Sequence, residues 1–377
     1  MSRGGEGFSA RRLGNITRTH MKNAFRVRIG IGVLLTTLVG CASYTPQPLS
    51  PLDTADAFEA RGLDSDGLKQ FLAQNLHREN MTWPPASWDL PSLSLAALYF
   101  HADLSVARAQ WDVARAGEIT AGARPNPSLD LNTQYNSSAV DLSPWTIGFG
   151  FNLPIETAGK RGYRIAQAQH LSETARLKIA ATTWQVRARV RAGLLKLHAA
   201  RETLAVQEKL LAAHETNVRL LTRGRAAPLP SVTQARIALD QTRLAVQDAR
   251  RQAAEARAQL AAALGVPLAA FNGIDFSFEI FDPLTLPSAP PAAALRRQAL
   301  QNRPDILAAL AQYAAAESAL ALEVAKQYPD IQLGPGYAWD QGNNKWTLGI
   351  SFALPLWHRN QGPIAETTAR RREAAAR

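Results

Sequence analysis

The chemistry open to a chain is bounded by the reactive side chains it can bring together. These 377 residues contain one cysteine, Cys41, whose thiol could serve as nucleophile, metal ligand or acylation site. His77, His101, His170, His198, His214 and His358 show no i, i+4 pair and no nearby Cys or carboxylate cluster at ligand spacing, so no metal centre is expected. Gly159-Lys160-Arg161 has the outline of a phosphate loop, but it lacks the upstream Gly and the Ser or Thr after the Lys. No Gly-x-Ser-x-Gly elbow occurs. Neither an enzyme nor a bound cofactor is expected.

The surroundings of Cys41 select among its roles. Arg3, Arg11, Arg12, Arg18, Lys22, Arg26 and Arg28, with Glu6 the lone acid, precede an apolar run at residues 29–40. That run falls short of the roughly 20 residues a membrane-spanning helix needs and suits the apolar region of a secretory leader. It ends in Leu38-Val39-Gly40-Cys41, which resembles a bacterial lipobox and makes Cys41 the lipid anchor; the bland alternative is a buried cysteine. Ala42, where an Asp would signal retention, resembles lipoproteins sent to the outer membrane. Because Met21-Lys22 begins a leader of ordinary length, residues 1–20 are read as an over-extended start. With one cysteine there is no intramolecular disulfide.

The net charge of +11 invites a nucleic-acid partner. The leader, however, holds seven of the 42 basic residues and one of the 31 acids, which leaves 35 against 30. No nucleic-acid partner is expected for the remainder. A composition of 46% hydrophobic and 19% charged residues suits a packed protein.

The chain repeats itself. A shift of 202 places Asp103 on Asp305, Ala107 on Ala309, Ala109-Gln110 on Ala311-Gln312 and Pro127 on Pro329. With the shift reduced to 201, Trp145-Thr146-Ile147-Gly148 falls on Trp346-Thr347-Leu348-Gly349, and Leu153-Pro154 on Leu354-Pro355. This predicts a duplicated unit of helix, strand, loop and strand, with strands at 127–136, 145–154, 329–339 and 346–355. Residues 136–144 and 338–345, rich in Asn, Ser, Gly and Asp, read as loops. Pro154 and Pro355 are expected to end their strands.

In the second strand of each pair, Trp145, Ile147, Phe149 and Phe151, and again Trp346, Leu348, Ile350 and Phe352, alternate with Thr, Gly, Asn, Ser or Ala. Such alternation fits either membrane β-strands with a lipid-facing aromatic side or a half-buried soluble sheet. Four strands cannot close a barrel, so membrane strands would require several copies of the chain.

Between the two copies lies a long helical stretch. Residues 165–222 hold no Pro and one Gly, Gly193. A turn at Arg223-Gly224-Arg225-Ala226-Ala227-Pro228-Leu229-Pro230 follows, and Ser231 with Gln234 reads as a capping box that starts a return helix ending before Gly265-Val266-Pro267. Alanines at 235, 238, 245, 249 and 253 predict close helix packing. Phe276, Phe278 and Ile280 alternate, which predicts a short strand within 271–291 before a Pro-rich link.

Together the lipobox, Pro-Asn-Pro-Ser-Leu opening a strand, Phe151-Asn152-Leu153-Pro154-Ile155-Glu156 followed by Gly159-Lys160-Arg161, the helical hairpin and Asn302-Arg303-Pro304-Asp305-Ile306 resemble a TolC-like outer-membrane efflux protein. The Pro-Ile-Glu-x-x-Gly-Lys-Arg run is more similar to its heavy-metal (CzcC/CusC-like) branch. The resemblance implies a mainly α fold with four membrane strands per chain, a homotrimer closing a twelve-stranded barrel in outer-membrane lipid, and a helical tunnel across the periplasm. It also implies passive export of substrates delivered by an inner-membrane pump of the resistance-nodulation-division type. A periplasmic adaptor (membrane fusion protein) would dock at the tip formed by Arg223, Gly224, Arg225, Pro228, Leu229 and Pro230. Family members often carry a carboxylate at this tip, and residues 223–233 have none.

On this reading the chain comprises a leader at 1–40, an N-terminal extension at 41–91, a first efflux repeat at 92–264 with its hairpin at 160–264, an equatorial strand and linker at 265–291, and a second repeat at 292–377. The second copy stops 22 residues after Pro355, whereas the first continues into a hairpin, so a truncated or frameshifted product is expected. The competing readings are a periplasmic adaptor, which would show Gly-rich lipoyl-like halves beside its hairpin, and a non-functional remnant.

Overall fold

The structure of the protein, a computed structural model, describes residues 42–77, 82–138, 143–223, 228–281 and 291–377. The chain divides into two units, Met1–Asp56 and Ala57–Arg377. The described part of the first is an extended segment that enters helix α1 (Pro51–Glu59). The second unit contains α2 (Asp66–Leu76), α3 (Leu90–Phe100), α4 (Ala102–Gly122), β1 (Ser128–Tyr135), β2 (Trp145–Ile155), α5 (Lys160–Arg223) and α6 (Leu229–Leu264). After two short 3-10 turns come α7 (Ala292–Asn302), α8 (Pro304–Ala325), β3 (Ile331–Asp340), β4 (Asn343–Phe352) and α9 (Gln361–Ala376).

The duplication is carried into three dimensions. Helix α7 begins and ends 202 residues after α3, α8 begins 202 after α4, and α9 begins 201 after α5. The strand pairs obey the same offsets: Leu129↔Phe151 in the first hairpin becomes Ile331↔Phe352 in the second. The two hairpins lie side by side in one antiparallel sheet of order β1-β2-β3-β4, joined by β2–β3 pairs such as Phe149↔Tyr337 and Leu153↔Leu333. Among the described residues, β1 and β4 each keep one unpaired edge.

The helical hairpin follows from a 3.5-residue rhythm. Buried positions on α6 are Ala235, Leu239, Thr242, Val246, Ala249, Ala256 and Leu260, and on α5 Val186, Val190, Leu194, Leu197 and Ala200. Steps of three and four give the seam of an antiparallel coiled coil. Ala238 and Ala245 flank this seam. With 64 residues, α5 extends about 96 Å at 1.5 Å per residue. Cross-helix ion pairs such as Arg250–Glu208 (2.9 Å) are exposed on both sides and worth little each.

The densest packing lies midway along the hairpin. There Leu63, Leu68 and Leu72, with Trp88 and Leu93, bury against Val190, Leu194, Leu197, Leu260, Leu264 and Phe271. Gly265 ends α6 in the left-handed region (φ 75°), where an added Cβ would lie 3.2 Å from Phe100 O and from His101 Cα, so glycine is required on two counts. Arg61 ties this crossing together, its Nη1 donating to Gly265 O (2.8 Å) and Phe100 O (3.2 Å).

Several local expectations are corrected. Residues 338–345 are not a loop: β3 and β4 run through them to a two-residue turn, Gln341-Gly342, with φ of 48° and 96°. Positive φ at both positions matches the right-handed twist of the strands, and the Asp340–Lys345 ion pair and the Tyr337 hydroxyl donating to Asn344 Oδ1 (2.6 Å) hold it closed. Pro154 does not end β2 but sits inside it opposite Gln332, and β4 stops at Phe352, ahead of Pro355. Ser231 is not a cap. Helix α6 begins at Leu229 with Pro228 at the cap position, and Ser231 N–H bonds Pro228 O within the first turn. The strand expected at Phe276, Phe278 and Ile280 is a single bridge, Trp88 with Phe276, followed by a 3-10 turn at Glu279–Phe281. The reason is local: Phe276 and Phe278 turn toward the equatorial core and Arg201 lies over both rings.

Candidate functional site

The sheet has two unlike faces because its strands alternate. On one face the residues Trp145, Ile147, Phe149 and Phe151 stand beside Trp346, Leu348, Ile350 and Phe352, every one of them exposed, Trp346 at 80%. Aromatic contacts run across this face, from Tyr135 to Trp145 (4.9 Å), Phe149 to Tyr337 (5.5 Å) and Tyr337 to Trp346 (4.9 Å). The opposite face is concave and lined by Asp130, Asn132, Gln134, Thr146, Asn152, Gln332, Thr347 and Ser351, with Gly148, Gly150, Gly334, Gly336 and Gly349 between them. An apolar aromatic outside and a wet, small-residue inside are what a barrel wall between lipid and a water-filled lumen requires. Among the described residues no helix is long and apolar enough to cross a membrane.

Where the sheet meets the helices, a cluster of charged side chains joins the two repeats. Lys160, the first residue of α5 and itself buried, donates from Nζ to Tyr328 O (2.6 Å) and Asp330 Oδ1 (2.7 Å) at the start of β3. Thr157 N–H also donates to Asp330 Oδ1 (3.0 Å), and the Thr157 hydroxyl to Pro329 O (2.6 Å). Burial by itself would raise the Asp330 carboxyl, but the Lys160 ammonium and the Thr157 N–H outweigh it and hold it below the usual carboxylate range. Arg164 grips Glu156 through both guanidinium amines (2.5 and 3.1 Å) and caps the end of α4 by donating from Nε to Ala121 O (2.8 Å). This bidentate contact keeps Glu156 ionised below its ordinary range despite some burial. Arg161 adds a bond to Gly122 O (2.9 Å).

The run at residues 154–161, noted in the sequence as a family-like signature and discarded as a phosphate loop, therefore has a structural use. It locks a strand end, a helix start and the second repeat together. Its partner Asp330 lies 170 residues away, and only the duplication hints that the two should meet.

At the far end of the hairpin, Arg223 closes α5, Pro228 caps α6, and Leu229 and Pro230 form its first turn, with Leu229 exposed. Gly224 and Arg225 of the expected tip, and the expected anchor Cys41, lie outside the described residues. The described residues hold no cluster of three His, Cys, Asp or Glu that could take a metal ion. His101 instead caps α4, its Nδ1 accepting from Asp103 N–H (3.2 Å), and burial keeps its pKa below the ordinary histidine value although Asp103 pulls the other way. His198 stacks on Phe278 (4.7 Å between ring centres).

Residues 93–266 match the family described as outer membrane efflux protein. The cobalt-zinc-cadmium resistance protein CzcC of Cupriavidus metallidurans is 28% identical over 279 residues, which cover 72% of this chain and 64% of CzcC; the chain thus spans a little under two thirds of that relative's length. Among solved structures, the outer membrane protein VceC of Vibrio cholerae superposes with a TM-score of 0.59 at 22% identity, over 76% of this chain and 74% of VceC. CusC, whose structures concern folding and transmembrane channel formation, gives 0.60 at 17% identity over 89% of this chain and 78% of its own. At such identities the likeness speaks for the fold. Residues 93–266 thus match the outer membrane efflux protein family, and the chain shares the fold of VceC and CusC.

Proposed function

We propose that this protein is the outer-membrane duct of a tripartite efflux system. Three copies lay their four-stranded sheets edge to edge as a twelve-stranded barrel, and the α5–α6 hairpins continue the conduit into the periplasm. The observation that carries the reading is the sheet itself: four strands with, among the described residues, two free edges, an exposed aromatic face and a concave polar face cannot serve any purpose as a closed soluble core. Transport needs no chemistry on the substrate, only a wet lumen.

The similarity to CzcC favours metal cations as the exported class, passed on by an inner-membrane resistance-nodulation-division pump and a periplasmic adaptor. The adaptor would meet the basic, proline-rich turn at residues 223–230, and acylation at Cys41 would tether the chain to the outer membrane. Reconstitution of the purified chain in planar bilayers tests the core of this reading. Stepwise, ohmic conductance from an oligomer is expected; a monomer with no conductance overturns it. Deletion of the gene, followed by growth on cobalt, zinc and cadmium salts and on a drug panel, separates metal from drug export.

A further inference from the structure

One stretch of α5 departs from the charge pattern of the other helices. Residues 174–201 hold seven basic side chains and no acid, over about 42 Å of helix at 1.5 Å per residue. On α6, by contrast, acids are interleaved, and Arg243, Arg250 and Arg251 pair with Asp240, Glu208 and Asp248. Within the acid-free stretch Arg189 reaches Asp103 of α4 (2.6 Å) and Lys196 bonds Gln259 of α6 (2.9 Å), while Arg187 and Arg191 have no carboxylate partner among the described residues. Both are exposed. They share a stripe with Trp184, at i, i+3 and i+7, and the Arg187 guanidinium lies over the indole, 5.6 Å from its centre. Trp184 itself is 60% exposed.

The stripe points away from the neighbouring helices. Gln167, Leu171, Thr174, Lys178, Ala181 and Gln185 of α5 face the groove along α8 and α9, and Val186 and Val190 are buried. Two heptads beyond Trp184, His198 continues the stripe, stacked on Phe278 beside a polar cleft of about 500 Å³ lined also by Ser87, Arg201, Glu202, Ser277 and Glu279. The equatorial segments thus cover this same face of α5. Inside a conduit they would plug it, so on the duct reading the stripe looks outward, into the periplasm.

We propose that Trp184, Arg187 and Arg191, continued by the equatorial cleft, bind the peptide-bearing glycan of the cell wall. A pyranose ring presents C–H groups of slight positive charge, which suit the negative face of an indole. The short peptides on such a glycan carry carboxylates, and two guanidiniums one helical turn apart can each take a carboxylate through paired N–H donors. The same peptides carry ammonium groups, and Glu202 and Glu279 stand at the other end of the stripe to receive them. A lipid headgroup is the wrong occupant. Trp184 lies 24 residues beyond the start of α5 at the sheet, about 36 Å along the helix, against a headgroup layer of about 5–8 Å. An acidic protein surface would satisfy the guanidiniums but leave the open indole and the polar cleft unused. The proposal rests on the duct reading only for the compartment in which α5 stands.

Cosedimentation of the purified full chain with isolated cell-wall sacculi tests the site. The native chain is expected to sediment, with binding that weakens as salt rises. Trp184→Ala, and separately Arg187→Gln with Arg191→Gln, are each expected to weaken binding about tenfold. Arg250→Gln with Arg251→Gln removes the same two charges from α6 and is expected to bind as the native chain does. Sacculi whose carboxylates have been amidated should lose most of the native binding. Equal losses in the two double variants would reduce the effect to net charge and overturn the site. Binding indifferent to Trp184→Ala or to amidation overturns it too, as does a native chain that stays in solution. A photocrosslinker at Ala188 that captures a protein in living cells in place of muropeptides would give the stripe to an adaptor and overturn the glycan. Planar-bilayer conductance of the same preparations separates these outcomes from the duct: conductance without sacculus binding fells the glycan site alone, and sacculus binding without conductance fells the duct alone.

Discussion

Lys160 and Asp330, 170 residues apart, meet at 2.7 Å where the first repeat's last strand turns into its long helix and the second repeat's first strand begins. The ammonium is buried and the carboxylate 40% exposed, so the pair is neither a fully buried ion pair nor a surface one. Removing one partner of a buried pair costs about 3–5 kcal/mol; with one side open to water, Lys160→Met is expected to cost about 1–2 kcal/mol. A thermal midpoint lowered in Lys160→Met and kept in Lys160→Arg would identify the charge, not the stem, as the contributor. An unchanged midpoint in Lys160→Met would show the joint to be held by Thr157 and Arg164 alone.

Acid should loosen the same joint before it affects the coiled coil. Asp330 and Glu156 are held below their ordinary values of 3.8 and 4.5 in the folded chain. A depressed folded-state value means the stabilisation is complete above the unfolded value and is lost as pH falls through the folded one. Stability of the sheet–helix junction is therefore expected to be flat above about pH 5 and to decline below about pH 4. Limited proteolysis near residues 156–164 across pH 3–6 would read this; cleavage independent of pH would contradict it. In Asp330→Asn the decline is expected to shrink.

The hairpin seam offers a sharper packing test. Leu260 is fully buried in the equatorial cluster, and its Cδ1 lies 3.3 Å from the Cβ position that Gly193 leaves vacant. Leu260→Ala should cost about 2–5 kcal/mol through lost burial and a cavity. Gly193→Leu should cost about 1–3 kcal/mol by forcing the two helices apart. Chemical denaturation followed by circular dichroism measures both, and an unaltered midpoint in Gly193→Leu would mean the helices separate there without penalty.

The sequence was most legible where a pattern repeats. Offsets of 202 and 201 placed both hairpins and fixed which residues share the aromatic face, because strand alternation allows only two choices and the apolar set selects one. It was least legible where composition and pairing disagree. Asn, Gly, Asp and Lys at residues 338–345 have the content of a loop, yet Trp339↔Asn344 and Asp340↔Asn343 are ladder pairs, since a partner strand fixes a segment that local propensity leaves open. The end of β4 failed for the converse reason: Leu354-Pro355 matches Leu153-Pro154 residue for residue, but β3 carries β2 to Ile155 while among the described residues no strand pairs with the outer side of β4. The joint at Lys160 was legible only as a hint from the duplication, because nothing local to Gly159-Lys160-Arg161 points to Asp330.

The two faces of the sheet predict opposite responses to charge. Phe149 stands at mid-strand on the aromatic face, where an arginine facing lipid costs about 2–4 kcal/mol. Phe149→Arg is expected to cut the amount of protein recovered in the outer membrane severalfold. Asn152→Arg, on the concave face, should leave recovery unchanged and alter conductance. Equal recovery of the two variants would contradict the assignment of the aromatic face to lipid.

The concave face also predicts ion selectivity. Along its strands Asp340 is neutralised by Lys345, which leaves Asp130 as the acidic side chain there with no ion pair among the described residues. In a threefold assembly three copies of Asp130 would ring the lumen near the periplasmic end of the barrel, concentrating cations in the way charged rings do in other pores. Reversal potentials under a salt gradient are expected to favour cations in the native chain, to move toward zero in Asp130→Asn and to change sign in Asp130→Lys. The shift should diminish as ionic strength approaches 1 M, where the screening length falls to about 3 Å. A reversal potential indifferent to all three side chains would place the selective charges elsewhere, at the helical tip, where Arg223 is the described residue to replace next.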